Sequence, residues 1–460
     1  MNNRNFSKAV EAVSPVVATL LLVLVAAGAA IGFGVFLNGF QKKTQSNVSS
    51  DAPTETLRIG GSSTVFEMTK KIIPAWQIAH PTIKIDSQEG GSGVGKQAIC
   101  RGTVDIGASS SAIAASGSPG QDLATCPDSN GDGVKDAQDL KETVVAYDAV
   151  VMAFATGSST CPAASGLDLT PSAIQELYNV NGALKAATTV GSAVFSGGLT
   201  LAGKTVTINS VSSGTTLTPA SGSVPFTAGD VGKVVSGAGI PASTTISSVS
   251  SGVATISAAV TAATTSATVS PFFAGAPTGT SGSTPVYTWA DICVGGSATQ
   301  NVVLGERSDQ GGTEDGFCSK FLKNDGTHCT SDTHQLISGS TGYYTKTVGS
   351  SGNEGIRAWL KSTSGALSFI GYGSVAESNS GIVTGAMQGV TPSASTIKTA
   401  GLNACSPTST TPSQFCAARP LEYITIGEPT GSAKAFLDFV LETQHNLDFA
   451  TQAGYVSIYA

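Results

Sequence analysis

Three short segments join glycine to small hydroxyl side chains: Gly61-Ser62-Ser63-Thr64, Gly90-Gly91-Ser92-Gly93 and Arg307-Ser308-Asp309-Gln310-Gly311-Gly312-Thr313. Glycine lets an anion approach the backbone, hydroxyls donate hydrogen bonds, and a guanidinium can hold two oxygens at once. Each segment is followed by a stretch that reads as helix. A helix N-terminus offers unsatisfied N–H groups and a partial positive charge. Three such ends meeting at one point would form an oxyanion receptor with little need for net positive charge. The plainer readings are a solvated surface arginine for Arg307 and a simple helix cap for Ser63 and Thr64. A cap uses the same N–H groups as an anion site, so those two readings are compatible.

The elements that must hold these segments follow from local pattern. Residues 57–60 read as a strand and 65–79 as a helix. A second strand falls at 81–87, a helix near 95–101 and a third strand at 104–108. This alternation indicates an α/β domain with parallel strands, in which ligands sit beyond the carboxyl ends of the strands. The run from Val144 to Phe154 predicts a buried strand, and 172–178 a short helix. Residues 302–305 form a strand leading into the arginine loop, followed by helices over 314–323 and 356–361 and an amphipathic closing helix over 433–443. Between residues 181 and 283 charged residues almost vanish. Alternating runs such as Thr205-Val206-Thr207-Ile208 recur there between Gly or Pro turns, which predicts an inserted all-β module rather than a disordered Ser/Thr linker.

A length of 460 residues allows two or three domains. The net charge of −7 argues against a nucleic-acid partner, since phosphate backbones need a basic face. A charged fraction of only 12% and abundant Gly, Ser and Thr suit a secreted or surface protein. The eight cysteines include no Cys-x-x-Cys pair, and with four histidines they argue for disulfides rather than zinc. The expected pairs are Cys318–Cys329, Cys405–Cys416, Cys100–Cys126 and Cys161–Cys293. The scattered histidines and the lack of a Ser/His/Asp order argue against a hydrolase, and no enzyme activity is expected.

Val16 to Phe36 is uncharged and long enough to span a bilayer as a helix. Residues 1–40 are therefore expected to form a membrane segment, and the polar residues 41–56 a linker. Residues 8–21, Lys8-Ala9-Val10 onward, resemble the N-terminal region of archaeal type IV pilins, which implies cleavage before Val10 and helices that anchor or pack into a filament. An uncleaved anchor is the alternative. Separately, Asp128, Asn130, Asp132, Asp136 and Asp139 place oxygens at positions 1, 3, 5, 9 and 12 of a calcium loop, with Gly133 at the sharp turn and the Val134 carbonyl at 7. Asp139 stands where Glu is usual. Structural Ca²⁺ is expected there, stiffening the loop.

The order of these motifs resembles the substrate-binding proteins of phosphate ABC transporters. The matching stretches are Gly61 to Val65, Gly90 to Gly93, Val104 to Ser109, Glu176-Leu177-Tyr178, Trp289 to Ile292, Arg307 to Thr313, Gly352 to Gly355, Gly427 to Gly431 and Ala453 to Val456. The resemblance implies a two-lobed, type II periplasmic-binding-protein fold over residues 57–180 and 284–460, interrupted by the β module at 181–283. It implies ligand contacts from Ser63, Thr64 and Val65, from Ser92, Ser109 and Ser110, and from Arg307, Gly311, Gly312 and Thr313. Two positions depart from the family: Gly311 stands where a Ser is usual, and Ser110 where one branch has an Asp that accepts a hydrogen bond from protonated phosphate and so helps reject sulfate. Asp148 and Asp309 are candidate replacements for that acid. The implied function is capture of phosphate or a similar oxyanion at the cell surface for an ABC permease, with self-association into a filament as the alternative.

Overall fold

The computed structural model describes residues 55–460 apart from 112, 114–139, 157–159, 181–202, 274–276, 282–283, 306, 308–311, 322–351, 378 and 404–412. The chain divides into two compact units. One holds Met1–Glu55 and His80–Lys84; the other, Thr56–Ala79 and Ile85–Ala460, carries every element below except the first residues of β1 and β2.

The elements in chain order begin with β1 (Glu55–Gly61), α1 (Ser63–Ala79), β2 (Ile83–Glu89), α2 (Ser92–Cys100), β3 (Ile106–Ser109) and β4 (Leu140–Ala155). After a short strand β5 (Asp168–Leu169) and helix α3 (Pro171–Val180) come β6 (Lys204–Val211), β7 (Gly214–Leu217), β8 (Val235–Ser236), β9 (Ile246–Ser250), β10 (Val253–Val260) and β11 (Thr264–Val269). Then follow β12 (Gly279–Ser281), β13 (Thr284–Val286), α4 (Trp289–Ile292), β14 (Val303–Gly305), α5 (Gly312–Phe321), α6 (Gly352–Ser362), β15 (Ala366–Gly371) and α7 (Tyr372–Ala376). The chain closes with β16 (Ile382–Thr384), β17 (Ala386–Met387), α8 (Ala394–Asn403), β18 (Ala418–Ile426), α9 (Gly431–Leu441), α10 (Thr443–Gln452) and β19 (Val456–Ser457).

The main sheet runs in the order β14-β15-β4-β18-β3-β1-β2. Parallel pairing is present, as expected of an α/β domain, between β1 and β3, and also between β14 and β15, a strand that was not predicted. The centre is antiparallel instead: β4 runs against β18, β15 and β16. The sheet is therefore mixed, and its two outer parts are joined through the antiparallel pair β4 and β18. The first part of β4 pairs with β18 and the last part with β15 and β16. A run from Val145 to Phe154 buried on both faces explains why its sequence is almost continuously apolar.

The helices predicted within the described residues all exist and start one to four residues earlier than apolar periodicity suggested. Four begin at Ser63, Ser92, Gly312 and Gly352, so Ser63, Thr64, Ser92, Gly312 and Thr313 lie in first turns rather than in preceding loops.

Residues 203–273 form two small antiparallel sheets, β6-β11-β8 and β7-β10-β9. In β6 buried and exposed residues alternate, as a half-buried strand requires. This segment does not separate as a compact unit of its own. Its Val206, Ile208, Phe226 and Val269 belong to the same buried cluster as Val151 of β4, Leu177 of α3 and Phe317 of α5.

Cys161 and Cys293 form the expected disulfide. Cys100, Cys318 and Cys416 are also disulfide-bonded, and each pairing expected for them involves a cysteine outside the described residues. The expected calcium loop and the apolar segment 16–36 lie outside them too. Among the described residues no helix is long and apolar enough to cross a membrane, and no group of His, Cys, Asp or Glu could hold a metal ion.

Candidate anion-binding site

The site starts from the chain reversal after β1. Gly61 adopts φ 137°, and a Cβ there would meet the Ala108 carbonyl oxygen at 2.2 Å and Gly95 Cα at 2.7 Å. Only glycine lets β1, β3 and α2 approach so closely. Ser62 then caps α1: its carbonyl accepts from Phe66 N–H at 2.9 Å and its hydroxyl from Val65 N–H at 3.4 Å. The second segment enters α2 through Gly91, at φ 98° and with no side-chain cap.

Tertiary packing brings the three helix starts together. Ser62 Oγ donates to Ser110 Oγ at 3.0 Å, Ser92 Oγ lies 3.2 Å from Ser110 Oγ, and Ser110 N–H donates to Ser92 Oγ at 3.0 Å. Thr64 Oγ1 lies 3.4 Å from Thr313 Oγ1, joining the start of α1 to the start of α5. A Cβ on Gly312 would stand 2.0 Å from Ser110 Oγ and 2.6 Å from Ser92 Oγ, so a larger residue there would displace both hydroxyls.

Two buried guanidinium groups complete the cluster, Arg307 at 2% and Arg419 at 3% exposure. Arg307 donates to Ser63 Oγ at 3.1 Å and to Asn353 Oδ1 at 3.2 Å. It is an interior residue and not the solvated arginine of the plainer reading. Arg419 donates to Thr313 Oγ1 at 2.9 Å, Thr64 Oγ1 at 3.2 Å, Ser110 Oγ at 3.4 Å and the Gly312 carbonyl. Its charge is balanced by Asp148 Oδ2 at 2.8 Å. The other Asp148 oxygen accepts from Gly373 N–H at 3.3 Å. Asp148 thus serves Arg419.

Asn353, in the first turn of α6, also accepts from Thr313 Oγ1 at 3.3 Å and from Gly371 N–H at 3.4 Å. Tyr455 donates to the Thr64 carbonyl at 2.9 Å. Burial, and then the nearby Asp148 carboxylate, push the Tyr455 phenol far above its usual range, so it stays a donor. Burial, and then Arg419, lower the Lys320 ammonium. Beside the hydroxyls lies a cavity of about 200 Å³, lined in part by Ser63, Glu67, Asn353, Glu377 and Tyr455.

Of the residues expected at the site, Ser63, Thr64, Ser92, Ser110, Arg307, Gly312 and Thr313 meet here. Val65 is buried one residue further on, with its N–H turned to the Ser62 cap. Ser109 does not join the cluster: its hydroxyl donates to the Ser111 carbonyl at 2.6 Å and accepts from Ser111 N–H. Gly311 and Asp309 lie outside the described residues.

Sequence reading missed Arg419 and Asn353. Arg419 carries a signal in retrospect, because a lone arginine within the apolar run from Phe415 to Tyr423 must find a buried counter-charge. Asp148, the lone acid within another apolar run, is the matching half.

The fold and site define a class: an α/β binding protein whose helix N-termini and buried arginines converge on one polar cluster. The chain belongs to the PBP superfamily, whose domain model matches residues 46–444. Among solved structures it is similar to a Clostridium perfringens protein crystallised with bound phosphate, at 14% identity over 87% of this chain and 99% of that one, TM-score 0.46. An ABC-type phosphate transport receptor from Vibrio cholerae is 13% identical over 87% and 99% of the two chains, TM-score 0.44. PstS from Borrelia burgdorferi is 14% identical over 88% and 98%, TM-score 0.40. No curated protein matches the chain.

Proposed function

We propose that this chain is a solute-binding protein that captures phosphate or a similar tetrahedral oxyanion at the cell surface and passes it to an ABC permease. The observation that carries this reading is the meeting of three helix starts with Arg307 and Arg419 in one buried network. An anion there would receive hydrogen bonds from the hydroxyls and first-turn N–H groups and charge from the guanidinium groups. Binding would exchange hydroxyl–hydroxyl bonds for hydroxyl–anion bonds, with no covalent step.

Calorimetry on the full chain in detergent, titrated with phosphate and with sulfate, tests this. Arg307→Ala is expected to weaken binding about 100-fold or more, the loss of two hydrogen bonds to a charged group. Absence of heat with every oxyanion would falsify the reading.

The apolar segment 16–36 supports anchoring outside the membrane or packing into a filament, which membrane fractionation and negative-stain microscopy of cell surfaces separate. The Asp128 to Asp139 loop supports a structural Ca²⁺ site. Chelation is expected to lower the melting temperature, and Asp132→Ala to abolish that sensitivity. An unchanged melting curve with chelator would remove calcium from the reading.

A further inference from the structure

We propose that Lys204 and Asp168 condense inside the folded chain, forming an amide that staples β6 to β5, with Asp230 carrying the proton. The oxyanion site takes no part in this step. Residues 181–283 hold four charged side chains, Lys185, Lys204, Asp230 and Lys233. Three of them meet Asp168 in one cluster, in which each of the four side chains is at most 2% exposed. Lys204 stands on the core face of β6, in line with Val206 and Ile208, where an apolar residue would be expected.

Each part of a condensation is in place. The nucleophile is Lys204 Nζ, 2.7 Å from Asp168 Oδ2. A carboxyl C–O bond is short, so Nζ lies within about 4 Å of Asp168 Cγ, near the distance from which an oriented nucleophile attacks. The other carboxyl oxygen, Asp168 Oδ1, accepts from Gly389 N–H at 3.0 Å. That backbone donor is aimed where negative charge develops as the carbon becomes tetrahedral. The parallel pairing of β17 with β5 puts it there. Asp230 is the base: its Oδ2 accepts from Lys204 Nζ and, at 2.8 Å, from Thr227 N–H. Thr227 Oγ1 lies 2.7 Å from Asp168 Oδ2 and 3.2 Å from Asp230 Oδ2, so one hydroxyl bridges the two carboxylates. Lys233 is turned away from this chemistry, since its Nζ donates to the Asp168 main-chain carbonyl at 2.8 Å and lies over the Phe273 ring.

The step balances without an added reactant. Burial disfavours the charge on Asp168, but Lys204 and Lys233 outweigh it, so the pair starts ionised. Lys204 gives a proton to Asp230, and the freed lone pair attacks Asp168 Cγ. The N–C bond forms and the carbonyl pair moves to Oδ1. The nitrogen gives up a second proton. Both protons reach Oδ2 by way of Asp230 and Thr227, the C–Oδ2 bond breaks, and water leaves as the Oδ1 pair re-forms the carbonyl. An ammonium and a carboxylate have become a neutral amide and one water, with nothing oxidised or reduced. One cation and one carboxylate remain, Lys233 and Asp230, 3.9 Å apart. The amide N–H keeps Asp230 as its acceptor, and the amide oxygen keeps the Gly389 N–H. A buried ion pair carries a large desolvation penalty, which a neutral amide relieves. The new bond closes a loop of sequence separation 36 inside the loop held by Cys161–Cys293, and reduction does not open it.

The test is peptide mapping of the full chain, purified in detergent, reduced, alkylated and digested with trypsin. An amide on Lys204 blocks cleavage there. The expected product is therefore peptide 142–185 joined to peptide 186–233 and lighter than their sum by one water. Recovery of peptides 142–185 and 186–204 as separate, unmodified species overturns the proposal. A bond from Lys204 to Asp230 overturns Asp168 as its partner. Lys204→Arg keeps a cation without a nucleophilic amine and is expected to lose the joined peptide; its survival there places the bond elsewhere and overturns the assignment. Asp230→Asn, shown to be folded by circular dichroism, is also expected to lose the joined peptide. The same yield as in wild type overturns the role of Asp230.

Discussion

Glu422 shows how a single side chain reports its surroundings. It lies on β18, three residues beyond Arg419, and is 3% exposed. Burial, and then the neighbouring Glu142, push its carboxyl up to about 8, against the pull of Lys96. Its folded pKa exceeds the unfolded one, so the folded state holds the proton more strongly between about pH 4.5 and 8. The stability from that proton is fully present below the unfolded pKa and is lost as pH rises through the folded pKa. Glu422→Gln is therefore expected to leave stability near wild type at pH 5 and to raise it by about 2 kcal/mol or more at pH 8. Urea denaturation at the two pH values measures this, and equal effects at both would show that Glu422 ionises freely in the fold. The neighbouring site obeys the same rule in another form: of its two buried cations, Arg419 is balanced by a carboxylate and both donate to several oxygens.

At the scale of elements, β6 is tied to the body by charge as well as by apolar packing. Lys204 on β6 reaches Asp168 on β5 at 2.7 Å and also pairs with Asp230. Lys233 donates to the Asp168 carbonyl at 2.8 Å, and Thr227 Oγ1 to Asp168 Oδ2 at 2.7 Å. All four charged side chains are at most 2% exposed. Burial alone would raise the Asp168 carboxyl, but Lys204 and Lys233 hold it below the usual range. Removing one cation leaves two buried carboxylates facing each other. Lys204→Met is thus expected to cost about 3–5 kcal/mol, read as a lower urea midpoint. A loss below about 1 kcal/mol would mean that water reaches the cluster and the strand is held by its apolar face alone. Composition predicted the strands of residues 203–273 correctly in kind, since Thr/Val alternation is a local property. It did not show that they share a core with α3 and β4, because that depends on apolar side chains and four buried ions far apart in sequence.

At the scale of the whole molecule, the Cys161–Cys293 disulfide spans a sequence separation of 132 and so brackets the whole segment 203–273. Leu167 and Cys293 also form a β-bridge, which brings the two flanks of that segment side by side. Cross-linking so long a loop restricts the unfolded chain, so Cys161→Ser/Cys293→Ser is expected to lose about 2–5 kcal/mol. Thermal unfolding should show a lower midpoint, and an unchanged midpoint would mean that the bridge and ion cluster suffice to close the loop. The same disulfide fits a chain that folds in an oxidising compartment, as the surface role requires.

What the sequence determined by itself is local. The helices themselves, the glycine turns, the buried strand and the hydroxyls at Ser63, Thr64, Ser92 and Thr313 were legible, because turn chemistry and apolar periodicity act between near neighbours. What only the tertiary structure decided is which distant groups meet. Arg419 and Asp148 are direct register partners of β18 and β4, and that register is set by the packing of two whole strands. Ser109 and Ser110 are adjacent and alike, yet successive residues of an extended chain point to opposite faces. Ser110 reaches the cluster while Ser109 closes a local turn with Ser111. The side-chain types were written in the chain; their charge balance came from the fold.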